Sequence, residues 1–175
     1  MRIIGGKYRG RRFEIAGFKA RPTTDFAKEA LFNIIENRYD LEDCSVLDLF
    51  AGTGGISLEF ASRGAKCVHL VEKDKAHILG IRSIIKTLGC DNIKTIHIDM
   101  KTYLKVCDTQ YDIVFADPPY DLSWFDEVPD MVLSSGVIAA DGIFILEHPK
   151  SMDFSERPNF FEHRNYGGVN FSFFK

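Results

Sequence analysis

Apolar residues recur along this chain with two different periods, and the switching between them predicts most of its elements. From Asp25 onward, Ala27, Ala30, Leu31, Ile34 and Ile35 fall at i, i+3, i+4, i+7 and i+8, which predicts an amphipathic helix that Asp25 can cap. Residues 45–50 form a short apolar run, then comes the glycine turn Ala51-Gly52-Thr53-Gly54-Gly55 and a helix reaching about residue 63. The pattern predicts further strands over 67–72, 93–98, 111–116 and 142–147. Helices are predicted over 74–88, with Ile78, Ile81, Ile85 and Leu88 along one side, over 100–106 and over 124–133. This alternation of strand and helix implies a parallel sheet covered on both faces. The tail changes character: 160–164 and 169–174 flank Tyr166-Gly167-Gly168, with Phe171 and Phe173 alternating, and predict a closing antiparallel hairpin.

Composition adds that 175 residues, 45% of them apolar, suffice for one globular domain with a full core, while no stretch approaches the length of a membrane span. The opening residues lack an apolar run followed by a small-residue cleavage site, so the expected location is the cytoplasm. Cys44, Cys67, Cys90 and Cys107 lie far apart, without Cys-x-x-Cys spacing, and read as reduced thiols rather than as metal ligands. No metal is expected.

Charge divides the chain. Residues 1–24 carry +6, from Arg2, Lys7, Arg9, Arg11, Arg12, Lys19 and Arg21 against Glu14, while the remainder carries −9, for −3 overall. A short basic segment on an acidic body is the electrostatic footprint of a protein that grips phosphates with one edge. Tyr8, Phe13 and the glycines at 5, 6, 10 and 17 give this segment the look of a hairpin. The expected organisation is a basic arm over 1–24, gripping phosphates through Arg2, Lys7, Arg9, Arg11, Arg12 and Arg21, and a main domain over 25–175.

Two turns carry chemistry. In Asp48-Leu49-Phe50-Ala51-Gly52-Thr53-Gly54-Gly55, Gly52 and Gly54 let a ligand approach the backbone at the end of the first strand. Glu72 ends the second strand 20 residues beyond Gly52, the offset at which a carboxylate accepts hydrogen bonds from ribose hydroxyls. Its alternative role is to stabilise the N-terminus of the helix that follows. Asp99, after the third strand, suits either an adenine amine or a loop cap. A nicotinamide cofactor fits Gly52 and Glu72 too, but hydride transfer needs further groups that this chain has little length to supply. S-adenosylmethionine fits better, because its methyl needs only a nucleophile held in line.

The second turn, Asp117-Pro118-Pro119-Tyr120, follows the apolar run 111–116. It places an acid, two rigid residues and an aromatic face at a strand's carboxyl end, where ligands of open α/β sheets bind. An exocyclic amine of a nucleobase is a poor nucleophile because its lone pair is delocalised. Asp117 and the Pro118 carbonyl can accept its protons and bias the nitrogen toward tetrahedral geometry, while Tyr120 stacks on the base. No cysteine nucleophile for carbon methylation stands at this turn. Glu147, His148 and Lys150 follow the fifth strand and read either as crevice-lining groups or, preferably, as solvated strand-end residues, and His69 as a half-buried strand histidine.

Several runs together resemble one family. They are Met1-Arg2-Ile3-Ile4-Gly5-Gly6-Lys7-Tyr8-Arg9-Gly10-Arg11, Arg21-Pro22-Thr23-Thr24-Asp25, Glu29-Ala30-Leu31-Phe32-Asn33-Ile34, Asp48 to Gly54, and Asp117 to Tyr120. In this order they resemble the bacterial small-subunit ribosomal RNA guanine-N2 methyltransferases, over nearly the whole chain. The resemblance implies an α/β Rossmann-like methyltransferase fold with a mostly parallel seven-stranded sheet, and S-adenosylmethionine as donor. It implies one acceptor guanine in 16S RNA, guanine 966, within a partly or fully assembled small subunit. By the same resemblance Asp48, Gly52, Gly54, Glu72, Asp99, Thr23 and Thr24 hold the cofactor. Asp117, Pro118 and Tyr120 carry catalysis, Pro119 meets the RNA, and the protein acts as a monomer without metal or membrane. The alternatives are an adenine-N6 methyltransferase of DNA or RNA, and a non-catalytic RNA-binding assembly factor.

Overall fold

The computed structural model describes residues 1–15 and 24–175, so Lys19, Arg21 and Thr23 lie outside the described residues. The elements in chain order are α1 (Asp25–Glu36), β1 (Ser45–Leu49), α2 (Gly55–Ser62), β2 (Cys67–Glu72), α3 (Lys75–Leu88), β3 (Ile93–His97), α4 (Met100–Val106) and β4 (Tyr111–Ala116). They continue with α5 (Val128–Ser134), β5 (Ile138–His148), β6 (Phe160–Tyr166) and β7 (Val169–Phe174). The seven strands form one sheet in the order β3-β2-β1-β4-β5-β7-β6. The first five are parallel, and β7 runs antiparallel between β5 and β6. This is the mostly parallel seven-stranded sheet with a closing hairpin that the pattern and the resemblance imply.

Because strand side chains alternate, each strand feeds two cores. Val46, Ile113, Phe115 and Ile145 pack with Phe32 and Phe60 under α1 and α2. Leu47, Leu49, Val114 and Leu146 pack with Tyr103, Leu104, Val128 and Val132 under α4 and α5. The sheet is therefore buried on both faces, as its unbroken apolar runs require.

The boundaries differ from the pattern in four places, each with a local cause. Thr24, not Asp25, caps α1, its Oγ1 accepting from the Ala27 amide at 3.2 Å; Asp25 is the first helical residue. The predicted helix over 124–133 divides into a 3-10 turn at Phe125–Glu127 and α5, because Pro129 is tolerated only in a first helical turn. β5 starts at Ile138 instead of residue 142, its pairing with β4 shifting register between Tyr111 and Ile113. Glu147 and His148, read as strand-end solvation, are buried within β5, with His148 Nε2 2.9 Å from Ser172 Oγ.

The basic hairpin forms, closed by the Arg2–Arg12 bridge and by Ile3 N to Arg11 O at 3.0 Å, and it is clamped to α2. Glu59, fully buried on α2, accepts from the Ile4 amide at 2.9 Å and the Gly5 amide at 2.7 Å. The same carboxylate meets Arg63 Nε at 2.9 Å and Lys28 Nζ at 3.2 Å, and Lys28 also donates to the Arg2 carbonyl. Ser62 extends the clamp, accepting from the Tyr8 amide at 2.9 Å and donating to the Gly5 carbonyl at 2.6 Å. Ile3 fills the space between Leu58 and Ile84. Removing one partner of a buried charge network leaves the rest uncompensated, so Glu59→Ala should cost about 3–5 kcal/mol. Thermal denaturation should show this as a fall of roughly 10 °C in Tm.

Candidate active site

The carboxyl ends of the parallel strands open on a cavity of about 710 Å3, lined by groups from both chemical turns. Its first wall is the glycine turn. The chain leaves β1 through three left-handed positions, Phe50 (φ 63°), Gly52 (φ 55°) and Gly54 (φ 74°). Only glycine adopts this conformation freely, and a Cβ on Gly54 would in addition stand 3.2 Å from Ile81. Gly54 thus shapes the turn from behind as the N-cap of α2, while Gly52 faces the cavity. The strained Phe50 lines the same space with Trp124, 6.1 Å between ring centroids, and the Lys101 ammonium stands 3.9 Å over Trp124.

Glu72 holds the turn in place. Its Oε2 accepts from the Gly52 amide and its Oε1 from the Asp74 amide, each at 2.8 Å. Glu72 thus takes the structural reading, ordering the start of α3, and it also lines the cavity. Asp99 caps α4, accepting from the Thr102 amide at 3.0 Å, and hydrogen bonding from the Thr102 side chain and then from its amide holds the carboxyl below the usual range. It also faces the cavity.

Asp48, Glu72, Asp117 and Glu147 come from four neighbouring strands, β1, β2, β4 and β5. Register explains their convergence. Asp48 pairs with Leu70 and Phe115, and Phe115 with Ile145. Residues two further along β2, β4 and β5 return to the same face, and these are Glu72, Asp117 and Glu147. All four carboxyl groups line the cavity. Burial pushes the Asp48 carboxyl up to about 7, against the opposing 2.5 Å hydrogen bond from Ser57 Oγ. Burial also raises Asp117 well above the ordinary carboxylate range, with the charges of Glu147 and Asp48 adding to the effect.

After Asp117 the chain turns back on itself, with Leu122 N bonded to Pro119 O at 2.9 Å. This presents Tyr120 half-exposed at the mouth, edge-on to Phe125 at 6.3 Å. Pro118, Pro119, Thr24 and Arg2 complete the lining, with Arg2 Nε 3.0 Å from Asp25. Lys7, Arg9, Arg11 and Arg12 stand exposed on the hairpin outside the cavity.

The family model described as conserved hypothetical protein 95 matches residues 1–175. The Escherichia coli K12 protein named ribosomal RNA small subunit methyltransferase D is 32% identical over 148 residues, which cover 84% of this chain and 74% of that protein. The chain belongs to this ribosomal RNA methyltransferase D family. A solved structure of a hypothetical protein from Thermus thermophilus superposes with a TM-score of 0.89 at 29% identity, covering 100% of this chain and 99% of that one. The fold extends to the Thermus thermophilus 16S rRNA N2 G1207 methyltransferase, solved in complex with AdoMet and guanosine. That structure has a TM-score of 0.71 at 22% identity, over 91% of this chain and 44% of that one.

The sequence reading of this family member assigns no role to Phe50, Trp124 or Lys28, all of which line the cavity. Glu147, for which the sequence leaves crevice lining open, lines it as well. Among the described residues, no group of three or more His, Cys, Asp or Glu side chains is placed to hold a metal ion. No helix among them is long and apolar enough to cross a membrane.

Asp48 gives a signed prediction for pH. Its carboxyl binds a proton more tightly in the folded protein than in the unfolded chain, so it lowers stability as pH rises from about 4 to about 7. Asp48→Asn keeps a partner for Ser57 and abolishes this penalty. The variant should be more stable than wild type by roughly 2–4 kcal/mol at pH 8 in urea titrations, a gain that shrinks toward zero near pH 4.

Proposed function

We propose that this protein transfers a methyl group from S-adenosylmethionine to the exocyclic N2 amine of one guanine in 16S ribosomal RNA. The observation that carries the reading is that the Glu72-held glycine turn and the turn Asp117-Pro118-Pro119-Tyr120 open on the same cavity. One site for an adenosine-bearing donor and one for an amine-bearing base then adjoin.

The residues present suit this cofactor. Among the described residues, the cavity lining carries eight carboxyl groups against Arg2, Lys28 and Lys73, a field that favours a ligand bearing sulfonium and ammonium charges. Glu72 has lone pairs left for ribose hydroxyls after accepting two amides, and Asp99 stands beside Ile98 and Met100 where an adenine amine would be read. Asp48, Gly52 and Thr24 are assigned to the methionine end, together with Thr23, while Gly54 serves it by shaping the turn from behind. When bound, the cofactor supplies an electrophilic methyl group.

The remaining work is done by side chains. Tyr120 offers its ring to an extruded base at the mouth, and the prolines fix the turn that aims Asp117. Asp117, once ionised, and the Pro118 carbonyl accept the two amine protons, so the nitrogen lone pair is freed from the ring and directed at the methyl carbon. Asp117 takes up the proton released on transfer. Its elevated proton affinity suits it to that step.

The hairpin supplies phosphate contacts through Lys7, Arg9, Arg11 and Arg12, with Arg2 at the cavity. Arg21 is assigned to the same role from its place in the sequence. Residues 1–24 thus act as an RNA-contacting arm on a 25–175 methyltransferase domain. The strongly acidic remainder favours a small footprint on an assembled, protein-rich particle, worked by a cytoplasmic monomer. Guanine 966, the acceptor that the family resemblance implies, is the position this reading carries.

Asp117→Ala should cut turnover on undermethylated small subunits by at least about 100- to 1000-fold, while calorimetry gives a cofactor Kd within roughly threefold of wild type. Loss of cofactor binding in that variant would contradict the division of roles. Replacing Arg9, Arg11 and Arg12 together by alanine should raise KM for the particle by about tenfold or more, and should flatten its salt dependence by about two to three units of slope. An unchanged slope would remove the arm from the RNA contact.

A further inference from the structure

We propose that Glu147 accepts the N1 proton of the target guanine beside Asp117, and thereby selects guanine over purines whose N1 is unprotonated. The inference rests on the guanine-N2 reading above and assigns the substrate specificity of that site to one side chain.

The placement comes from the sheet. Ala116 and Leu146 form the last recorded pair between β4 and β5, so Asp117 and Glu147 leave the sheet side by side. That puts them about one strand spacing, roughly 4.8 Å, apart at the backbone. They share the face of Phe115 and Ile145, and both line the cavity. Glu147 is 4% exposed, and its charge acts directly on Asp117, so the two carboxyl groups are close in space as well as in register.

Two adjacent acids of like charge favour a ligand edge that brings hydrogen-bond donors to both. Guanine brings a matching set. Its Watson–Crick edge presents N1–H and the N2 amine on neighbouring atoms, a pair of donors for a pair of acceptors. Adenine and 2-aminopurine present a lone pair at N1, which would face the Glu147 carboxylate unsatisfied. A site built to hydrogen-bond a substrate group rejects an analogue lacking it by far more than an apolar pocket can. His148, on the opposite face with Phe154 and Ser172, takes no part in this edge.

The test compares methyl transfer by wild type, Glu147→Gln and Glu147→Asp to small subunits reconstituted with guanine or 2-aminopurine at the target position. 2-Aminopurine keeps the N2 amine but has no N1 proton. Wild type should prefer guanine by about 100-fold or more in kcat/KM. In Glu147→Gln the side-chain amide can donate to an unprotonated N1, so the preference should fall to within about fivefold or invert. Glu147→Asp should be slower but keep the guanine preference. Cofactor titration by calorimetry checks that each variant retains a formed donor site.

Retention of the full guanine preference in Glu147→Gln would overturn the proposal, and so would an equal loss on both bases. Failure of wild type to form N2-methylguanosine at all would overturn the reading beneath it, a result distinguishable from either.

Discussion

The alternation of side chains along parallel strands is the constraint on which this site depends. Asp48, Glu72, Asp117 and Glu147 reach one cavity because they occupy same-face positions on four adjacent strands. A shift of one residue in any strand would bury its acid under α4 and α5 instead. Concentrating carboxyl groups in this way is costly in the free protein, and the raised proton affinities of Asp48 and Asp117 are the visible sign of it. The structure offsets part of the cost locally: Ser57 donates to Asp48, and the Gly52 and Asp74 amides donate to Glu72.

A second buried charge does a different job. Glu59 stands apart from the cavity lining; it fixes the N-terminal hairpin to α2, the helix that starts at the glycine turn. Arg2 at the cavity and the exposed basic residues of the hairpin are thereby held in a constant relation to the glycine turn and to Asp117. Rigid placement of the proposed phosphate-binding edge would matter for a reaction in which the base must enter in line with the methyl group, because small misplacements carry large rate penalties.

The strands were legible because a doubly covered parallel sheet writes them as apolar runs, and the two turns were legible because glycine and proline mark them. What could not be read depends on contacts distant in sequence. Nothing in the periodicity around Lys28 or Glu59 shows that they meet each other and the backbone of residues 4 and 5. Strand-end solvation is the preferred sequence reading of Glu147 and His148 because the pattern predicts the 169–174 strand without showing that it pairs with β5 alongside them. Asp25 yields the α1 cap to Thr24, since both are good caps by propensity and only the backbone decides. Asp99 and Glu72 each carried two readings, and in the folded chain each does the structural one while facing the cavity.

The measurement that bears most directly on the account is the identity of the labelled nucleoside after incubating wild-type protein with methyl-labelled S-adenosylmethionine and undermethylated small ribosomal subunits. The account predicts N2-methylguanosine at a single position of 16S RNA. N6-methyladenosine, or no label in protein that binds the cofactor, would contradict it.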